Sequence, residues 1–257
     1  MKRLAGMAFV WNLLSAWLDL IYPPVCAGCG ALLQDGEAEI CAACRDGFLR
    51  LPPPYCPRCG APVAEAHTYK PSCRECPEGP LYFNQAHALF SYYDPKLRRC
   101  IHDLKFHYHT ALAEVLGGML ADTYGKVVLQ KKIDAIVPVP LHKKRLRDRE
   151  FNQSTLLASP LARVADIPIV ETVVHRIKKT RPQSQLNRDA RKSNPVGAFA
   201  PVQAGCVQNQ SLLVVDDIFT TGTTVNQVCA ALRQGGAAYI MVLTLARAVE
   251  LPQPGDS

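Results

Sequence analysis

The sequence predicts an α/β protein in which a mostly parallel sheet with flanking helices follows a small cysteine-rich domain. Downstream of about residue 80, helix-like and strand-like segments alternate, and this alternation indicates parallel strands joined by crossover helices. Eight of the eleven cysteines lie between Cys26 and Cys76. A strand of buried type at residues 212–215 runs into two aspartates and a threonine-rich loop.

The amino-acid composition excludes several classes of protein. The chain has 257 residues, 48% hydrophobic and 20% charged, which excludes a disordered chain, a collagen-like chain and a membrane bundle. Lys and Arg outnumber Asp and Glu by 29 to 22, and the net charge of +7 suggests an anionic partner. An odd number of cysteines without a convincing secretory signal favours metal binding over disulfides, and hence a cytoplasmic protein.

The N-terminal residues 1–22 are predicted to form an amphipathic helix that packs on its own protein. An apolar stretch at 4–18 follows Lys2 and Arg3, but Asn12 and Ser15 interrupt it, and a membrane span needs about 20 apolar residues. We therefore expect no stable membrane span, although a membrane-surface helix and a signal or anchor remain alternatives. We divide the rest into a cysteine-rich domain at 23–80, an α/β domain at 81–250 and a tail at 251–257.

The cysteine-rich domain contains four Cys-x-x-Cys pairs. Two thiolates two residues apart reach one ion from a tight turn, and two such knuckles form the closed tetrahedral site typical of structural zinc. The spacing predicts a double zinc ribbon with two structural zinc ions, and redox dithiols are the weaker alternative. Sequential pairing is simplest, and cross-braced pairing remains open. The predicted ligands are Cys26, Cys29, Cys41, Cys44, Cys56, Cys59, Cys73 and Cys76.

The α/β domain is predicted from its pattern of apolar residues. Helices are expected at 95–106, at 109–124 with a break at Gly117-Gly118, at 149–165, and at 224–234 with a stop at Gly235-Gly236. Strands are expected at 133–139, 169–175, 198–202, 212–215 and 239–245. Residues 176–195 are polar, basic and without periodicity.

The segment at 212–224 predicts a phosphate and sugar site. Asp216 and Asp217 follow the predicted strand at its carboxyl end, where ligands bind in open α/β sheets. The loop that follows offers hydroxyls, backbone N–H groups and a helix N-terminus to a phosphate monoester. Carboxylates beside such a cradle suit vicinal hydroxyls or Mg²⁺, so the implied ligand is a phosphorylated ribose. The segment is not a Walker A loop.

These thirteen residues resemble the phosphoribosyl-pyrophosphate (PRPP) signature of type I phosphoribosyltransferases, and the resemblance implies that fold. It implies that Asp216 and Asp217 hold the ribose hydroxyls. Purine-salvage relatives commonly carry Asp at the position of Thr220, which weakens a purine assignment. The residues implied to hold the 5′-phosphate are Thr220, Thr221, Gly222, Thr223 and Thr224.

Nearly the whole chain resembles the ComF/GntX family of bacterial phosphoribosyltransferase-like proteins. The motifs that carry this resemblance are the four knuckles, Leu104-Lys105-Phe106, Val137-Pro138-Val139-Pro140-Leu141, Phe151-Asn152-Gln153 and the PRPP signature. Members are implicated in DNA uptake during natural transformation, and others are associated by name with gluconate use. The family usually has Gly where this chain has Glu150, and this carboxylate could dampen an anion site at Arg149.

Two basic segments, at 142–150 and 176–192, flank the predicted site. By the resemblance, the turn at Pro140, Leu141 and His142 binds pyrophosphate with help from Lys143 or Arg145. The second segment corresponds to a hood that closes over the substrate, with Lys178, Arg181 and Gln185 as contacts. Lys105 is expected to line the same pocket. A solvated basic face is the simpler alternative for both segments.

Two hypotheses for the function follow. The first is an enzyme that binds Mg·PRPP and transfers the phosphoribosyl group to an unknown nitrogenous acceptor in a ComF-type role in DNA uptake, with Asp216, Asp217 and Lys105 as catalytic residues. The second is a non-catalytic module of the competence machinery that senses PRPP or another nucleotide, or binds single-stranded DNA. The candidates for stacking on bases are Tyr55, Tyr69, Tyr82 and Phe83.

Overall fold

A computed structural model describes residues 23–64, 73–77, 79–177 and 198–249. The helices are α1 (Ala42–Gly47), α2 (Pro95–Phe106), α3 (Ala111–Gln130), α4 (Lys143–Arg149), α5 (Gln153–Ala165) and α6 (Thr223–Gln234). The strands are β1 (Gln85–Ser91), β2 (Ala135–Pro138), β3 (Val174–Arg176), β4 (Phe199–Pro201), β5 (Ser211–Phe219) and β6 (Tyr239–Arg247).

The central sheet has the strand order β1-β6-β5-β2, and each neighbouring pair is parallel. The predicted parallel α/β architecture is therefore confirmed. Strands β3 and β4 form a separate antiparallel pair. Strands β5 and β6 are almost wholly buried because helices cover both faces, which explains their continuous apolar sequence.

Local sequence fixes the beginnings of the helices. Asp94 caps α2 by accepting hydrogen bonds from the backbone N–H groups of Lys96 (2.8 Å) and Leu97 (2.9 Å), and Pro95 occupies the first helical position. Asn152 caps α5 in the same way through the N–H of Ser154 at 3.1 Å. The two caps anchor the helices that flank the carboxyl ends of β2 and β5.

The predicted break at Gly117-Gly118 is wrong, since α3 continues through both glycines. Gly117 allows α3 to approach α5 closely, because a Cβ there would lie 2.6 Å from the carbonyl oxygen of Leu157 and 2.9 Å from Cγ of Pro160. Helix packing thus outweighs the low helix propensity of glycine.

Other boundaries also differ from the sequence prediction. The helix predicted at 149–165 begins only at Gln153, because Glu150 adopts a left-handed conformation (φ 65°) that ends the separate helix α4 at Arg149. The strand predicted at 212–215 extends to Phe219, so Asp216 and Asp217 lie within β5. Of the strand predicted at 169–175, the structure shows only an isolated bridge at Ile169 and then β3.

The hydrophobic core extends from the α/β domain into the cysteine-rich region. Cys26, Cys41 and Cys44 belong to the same buried cluster as Leu97 and Cys100. All eleven cysteines are free of disulfides. Across the described ranges, no helix combines the length and the apolar character that a membrane crossing requires. The predicted N-terminal helix and C-terminal tail lie outside the described residues.

Candidate functional site

The acidic pair lies near the carboxyl end of β5. Asp216 and Asp217 are 8% and 5% exposed. The Ser154 hydroxyl donates to Oδ1 of Asp216 at 3.0 Å, and the backbone N–H of Asp217 donates to the same oxygen at 2.9 Å. Lys105 forms a salt bridge with Asp217. The structure therefore brings together all three residues predicted to be catalytic.

The two carboxylates differ in their electrostatic environment. Burial, followed by the negative charge of Asp217, raises the pKa of Asp216 to about 7. Hydrogen bonds from the N–H of Asp217 and from Ser154, together with the charge of Lys105, act in the opposite direction. Asp216 is consequently poised between its protonated and ionised forms near neutral pH, and a ligand that donates hydroxyl protons would favour the ionised form.

The threonine-rich loop joins β5 to the N-terminus of α6. Gly222 is the N-cap and has a left-handed backbone (φ 71°), a conformation that glycine adopts without strain. The hydroxyls of Thr221 and Thr223 lie 2.9 Å apart. The loop thus presents hydroxyls at the N-terminus of a twelve-residue helix, where backbone N–H groups and the helix dipole favour an anion.

A cavity of about 540 Å³ lies beside the acidic pair. Several predicted site residues line it: Lys105, Pro140, Leu141, Arg145, Asp216, Asp217, Thr220 and Thr224. Thr221, Gly222, Thr223, His142 and Lys143 do not line it. His142 instead caps α4 by accepting from the N–H of Lys144. Lys178, Arg181 and Gln185 fall outside the described residues.

Four arginines line the same cavity, Arg98, Arg145, Arg149 and Arg176, and the last three are partly buried. Burial lowers the pKa of each of these three, and that of Arg176, which also faces the charge of Arg145, falls to about 10. Nη2 of Arg145 is buried without a hydrogen-bond partner among the described residues. Clustered cations, together with the unpaired donor of Arg145, suit a polyanionic ligand, which would neutralise the charge and accept that hydrogen bond.

The Phe151-Asn152-Gln153 motif positions this cationic wall. The side-chain amide of Asn152 donates to the carbonyl of Val139 at 3.1 Å and so anchors the turn after β2. Oε1 of Gln153 accepts from Nη1 of Arg149 at 3.0 Å. Glu150 is exposed and does not line the cavity. The structure therefore gives no support to the expectation that its carboxylate dampens the anion site.

The eight knuckle cysteines form two groups, and pairing is sequential. Sulfurs of Cys26, Cys29, Cys41 and Cys44 lie within 4.8 Å of one another, as do those of Cys56, Cys59, Cys73 and Cys76. We call these the first and second quartets. Sulfur–sulfur distances in the second quartet include 3.5 Å (Cys59–Cys73) and 3.8 Å (Cys56–Cys76). A tetrahedron of sulfurs about 2.3 Å from zinc has edges of about 3.8 Å, so the quartets fit the double zinc ribbon.

Backbone amides favour thiolate formation in each quartet. Burial opposes ionisation of Cys26, but N–H groups of Cys41, Cys29 and Gly28 lower its pKa to about 6. Burial likewise opposes ionisation of Cys56, but the N–H groups of Cys59 and Arg58 lower its pKa to about 7. Burial raises the pKa of Cys44 and of Cys59, so the amides favour the zinc-binding thiolate form at only one cysteine of each quartet.

Sequence reasoning missed several residues that line the cavity. Arg176 opens the basic segment at 176–192, but it was not predicted as a site residue, because it reaches the cavity from the end of a strand distant in sequence from the PRPP signature. Phe106 and Tyr108 are 52% and 55% exposed and lie at the same cavity. Phe83, a candidate for base stacking, is instead buried at 3% and packs against Phe219.

Comparisons with known proteins support this description. The double zinc ribbon domain family matches residues 17–77, and the phosphoribosyl transferase domain family matches residues 151–254. A purine phosphoribosyltransferase from Pyrococcus horikoshii aligns at a TM-score of 0.34 and 17% identity, over 53% of this chain and 79% of that chain.

Similar proteins of known name cover most of the chain. DNA utilization protein YhgH of Escherichia coli is 33% identical, over 89% of this chain and 99% of that protein. Competence protein F of Haemophilus influenzae is 31% identical over 87% of this chain and 96% of that protein. Competence protein ComFC of Bacillus subtilis is 25% identical over 84% of this chain and 87% of that protein. With a double zinc ribbon, a phosphoribosyltransferase domain and these relatives, the chain belongs to the ComF/GntX family.

Proposed function

We propose that the chain binds PRPP with Mg²⁺ in the cavity and transfers the phosphoribosyl group to a nitrogenous acceptor, with release of pyrophosphate. One observation carries this proposal. The acidic pair and the threonine-rich loop, both at the carboxyl end of β5, share one cavity with four arginines and Lys105. Such a site offers complementary groups to each part of PRPP, namely the phosphate, the ribose hydroxyls and the pyrophosphate.

Each part of PRPP would contact a different group of residues in the cavity. The threonine-rich loop and the N-terminus of α6 would hold the 5′-phosphate. Asp216 and Asp217 would accept hydrogen bonds from the ribose hydroxyls, so the ligand must compete with Lys105 for Asp217. Released from that salt bridge, Lys105 can face the pyrophosphate. The turn at Pro140 and Leu141 would lie beside the pyrophosphate together with Arg145.

Transfer requires that the bond from C1′ to the pyrophosphate oxygen break while a bond from C1′ to the acceptor nitrogen forms. The electron pair leaves with pyrophosphate, and Arg145, Arg149 and Arg176 would stabilise the growing negative charge. The acidic pair would fix the ribose as positive charge develops on it. Bound Mg²⁺ would supply further charge neutralisation, and carboxylate oxygens are ligands it prefers.

Calorimetry with Mg·PRPP tests the proposal. We expect saturable binding by the wild type, and loss of most affinity in Arg145→Gln because a cavity-lining cation is removed. Arg147→Gln is the matched control, since Arg147 belongs to the same helix but is exposed and does not line the cavity. Release of pyrophosphate with a panel of nitrogenous bases then tests turnover. Binding without release from any acceptor would favour a non-catalytic PRPP sensor.

Single-stranded DNA binding is a second candidate. The observation that favours it is the pair of exposed rings, Phe106 and Tyr108, beside Arg149, whose guanidinium lies 4.9 Å from the centre of the Phe106 ring. Rings and cations together form stacking platforms for bases. The names of the relatives, which refer to DNA utilization and competence, agree with this candidate.

Fluorescence anisotropy with a labelled single strand tests this second candidate. We expect salt-dependent binding that weakens in Phe106→Ala. Tyr93→Ala is the control, because Tyr93 is similarly exposed at 51% but does not line the cavity. Equal binding by the two variants would contradict a role of the cavity in holding DNA.

We also propose that each quartet holds one structural zinc ion. The two sulfur tetrahedra and the thiolate-favouring amides support this proposal. Thiol modification of freshly purified, reduced protein should release about two zinc ions per chain. A count near zero would contradict the zinc assignment.

A further inference from the structure

Arg247 joins the second quartet to the central sheet. It is the last residue of β6, and its side chain is 1% exposed. Nη1 donates to the carbonyl of Cys59 at 2.6 Å. Nη2 donates to Sγ of Cys59 at 3.4 Å and to the carbonyl of Glu75 at 2.9 Å. The guanidinium therefore contacts both knuckles of the second quartet, including a sulfur.

The other side of the guanidinium faces the last residue of β5. The central carbon of the Arg247 guanidinium lies 4.2 Å from the centre of the Phe219 ring. Phe219 is 1% exposed, pairs with Arg247 in the register of β5 and β6, and directly precedes Thr220. The ring that Arg247 holds is thus attached to the first residue of the threonine-rich loop.

The loop also lies close to Pro77, the residue that follows the last cysteine of the second quartet. A Cβ on Gly222 would lie 2.4 Å from the Phe219 ring and 2.7 Å from Cγ of Pro77, the residue after Cys76. Gly222 is therefore enclosed between a ring held by Arg247 and the end of the second knuckle. Displacement of either group would change the space available to the loop.

The counter-charge that balances Arg247 depends on whether the second quartet holds a metal ion. Within the described part of the chain, no carboxylate forms a salt bridge with Arg247. A guanidinium buried without a counter-charge is unfavourable. Four thiolates around a zinc ion would carry a net negative charge and supply that counter-charge. Groups that hydrogen-bond to metal ligands orient those ligands. Arg247 forms such a bond to Cys59 and also contacts Phe219, so it connects the metal ligands to the loop that follows Phe219.

We propose that Arg247 is a positioning residue through which the second zinc site holds the threonine-rich loop in its ligand-binding conformation. Loss of metal from the second quartet weakens ligand binding, and loss from the first quartet does not. This inference rests on the proposed PRPP site for its ligand, but the physical link between Arg247, the quartet and the loop can be measured without that ligand.

The first experiment uses Arg247→Met, which keeps an apolar stem and removes the charge and the donors. We expect faster zinc release from one of two sites under mild chelation, and Mg·PRPP affinity at least about tenfold weaker. Arg50→Met is the matched control, because Arg50 lies over the Phe90 ring at 5.4 Å but is exposed and touches neither the second quartet nor the loop. Wild-type zinc release and affinity in Arg247→Met would overturn the inference.

Hydrogen exchange measured on the full chain tests the link between the second quartet and the loop even if Arg247→Met does not fold or if PRPP does not bind. Cys76→Ser should speed exchange of amides at 219–224, and Cys29→Ser should not. Unchanged exchange at 219–224 in Cys76→Ser would overturn the inference. If Cys76→Ser exchanges faster at 219–224 and the wild type does not bind Mg·PRPP, the link between the quartet and the loop is upheld and the proposed function is contradicted.

Discussion

The two cysteine quartets have the same ligands and spacing pattern, but they are attached to the molecule differently. Three cysteines of the first quartet are buried in the main core beside α2, and Glu39, close to that quartet, forms a salt bridge with His109 after α2. The second quartet has a small core of its own, formed by Cys56, Cys59 and Ala61 with three partly buried neighbours. It meets the sheet at Gly60, where a Cβ would lie 2.2 Å from the carbonyl oxygen of Ala86, and at Arg247.

This difference shows that a repeated ligand motif does not imply a repeated role. The first quartet packs on a helix at a distance in sequence from the threonine-rich loop, so its metal stabilises the core. The second quartet contacts Arg247 at the end of β6, and Pro77 beside it lies close to the loop that we propose binds PRPP. The following predictions test whether this division of roles is real.

The largest effect is expected when the loop itself is obstructed. Gly222→Ala should weaken Mg·PRPP binding by about 100-fold or more, because a Cβ there would overlap Phe219 and Pro77 and would strain a left-handed backbone. Gly30→Ala is the matched substitution in the first ribbon. Gly30 also has positive φ (77°), but the nearest atom to a Cβ is 3.7 Å away.

Calorimetry and thermal unfolding of both variants check this contrast. Gly30→Ala should cost about 1 kcal/mol of unfolding free energy from backbone strain and leave PRPP affinity unchanged. Equal affinity losses in the two variants would remove the distinction between the ribbons.

The next effect concerns the zinc ligands. Cys76→Ser and Cys29→Ser should each reduce the zinc content by one ion per chain, measured by atomic absorption. Only Cys76→Ser should weaken Mg·PRPP binding, by about 10- to 100-fold, because only the second quartet is linked to the loop, through Arg247 and Pro77. A loss of affinity in Cys29→Ser at a temperature where it remains folded would contradict the division of roles.

The pH dependence of binding sharpens the comparison. The pKa of Asp216 is raised to about 7, so affinity for Mg·PRPP should increase about tenfold from pH 6 to pH 8 as Asp216 ionises. By the same linkage, the contribution of Asp216 to the stability of the unliganded protein is fully present below its unfolded pKa of about 4 and is lost as pH rises through 7. Calorimetry across this range measures the first effect, and urea unfolding measures the second.

Two variants serve as controls for the pH dependence. Asp216→Asn should remove the contribution of Asp216 to the pH dependence of stability, because the amide does not titrate. Glu39→Gln breaks the salt bridge with His109 at the first ribbon and should leave the pH dependence of binding unchanged. A pH profile altered by Glu39→Gln but not by Asp216→Asn would contradict the assignment.

The smallest effect is expected far from both quartets. Glu150→Gly should raise the unfolding free energy by about 1 kcal/mol, since Glu150 has φ 65° at the end of α4, and zinc content should not change. Asp166→Gly at the end of α5 (φ 53°) should gain less, because aspartate tolerates this conformation better. Urea unfolding checks both, and destabilisation by Glu150→Gly would contradict the strain argument.

Much of this molecule follows from local sequence. The spacing of the cysteines predicted both quartets, and the helix at 95–106 was predicted with its observed bounds. The order of apolar strand, acidic pair and threonine-rich loop predicted the groups that lie together at the carboxyl end of β5. These features are encoded within short segments, and local physics is sufficient to interpret them.

What sequence could not predict depends on contacts between distant segments. Strand β1 has little β-branched sequence and is defined by its pairing with β6, so it was missed. Gly117 predicted a helix break, but its contact with Leu157 preserves the helix. Arg176 and Arg247 reach their sites from strand ends far from the PRPP signature. No periodicity distinguishes them from surface arginines.

Titration of the zinc-loaded wild type with Mg·PRPP by calorimetry, beside Asp217→Asn, tests the central claim most directly. The account predicts saturable binding of about one ligand per chain by the wild type, and loss of that binding in Asp217→Asn, because the buried carboxylate pair holds the ribose. No detectable binding by the wild type, or equal binding by the two proteins, would contradict the proposal that this cavity is a phosphoribosyl site.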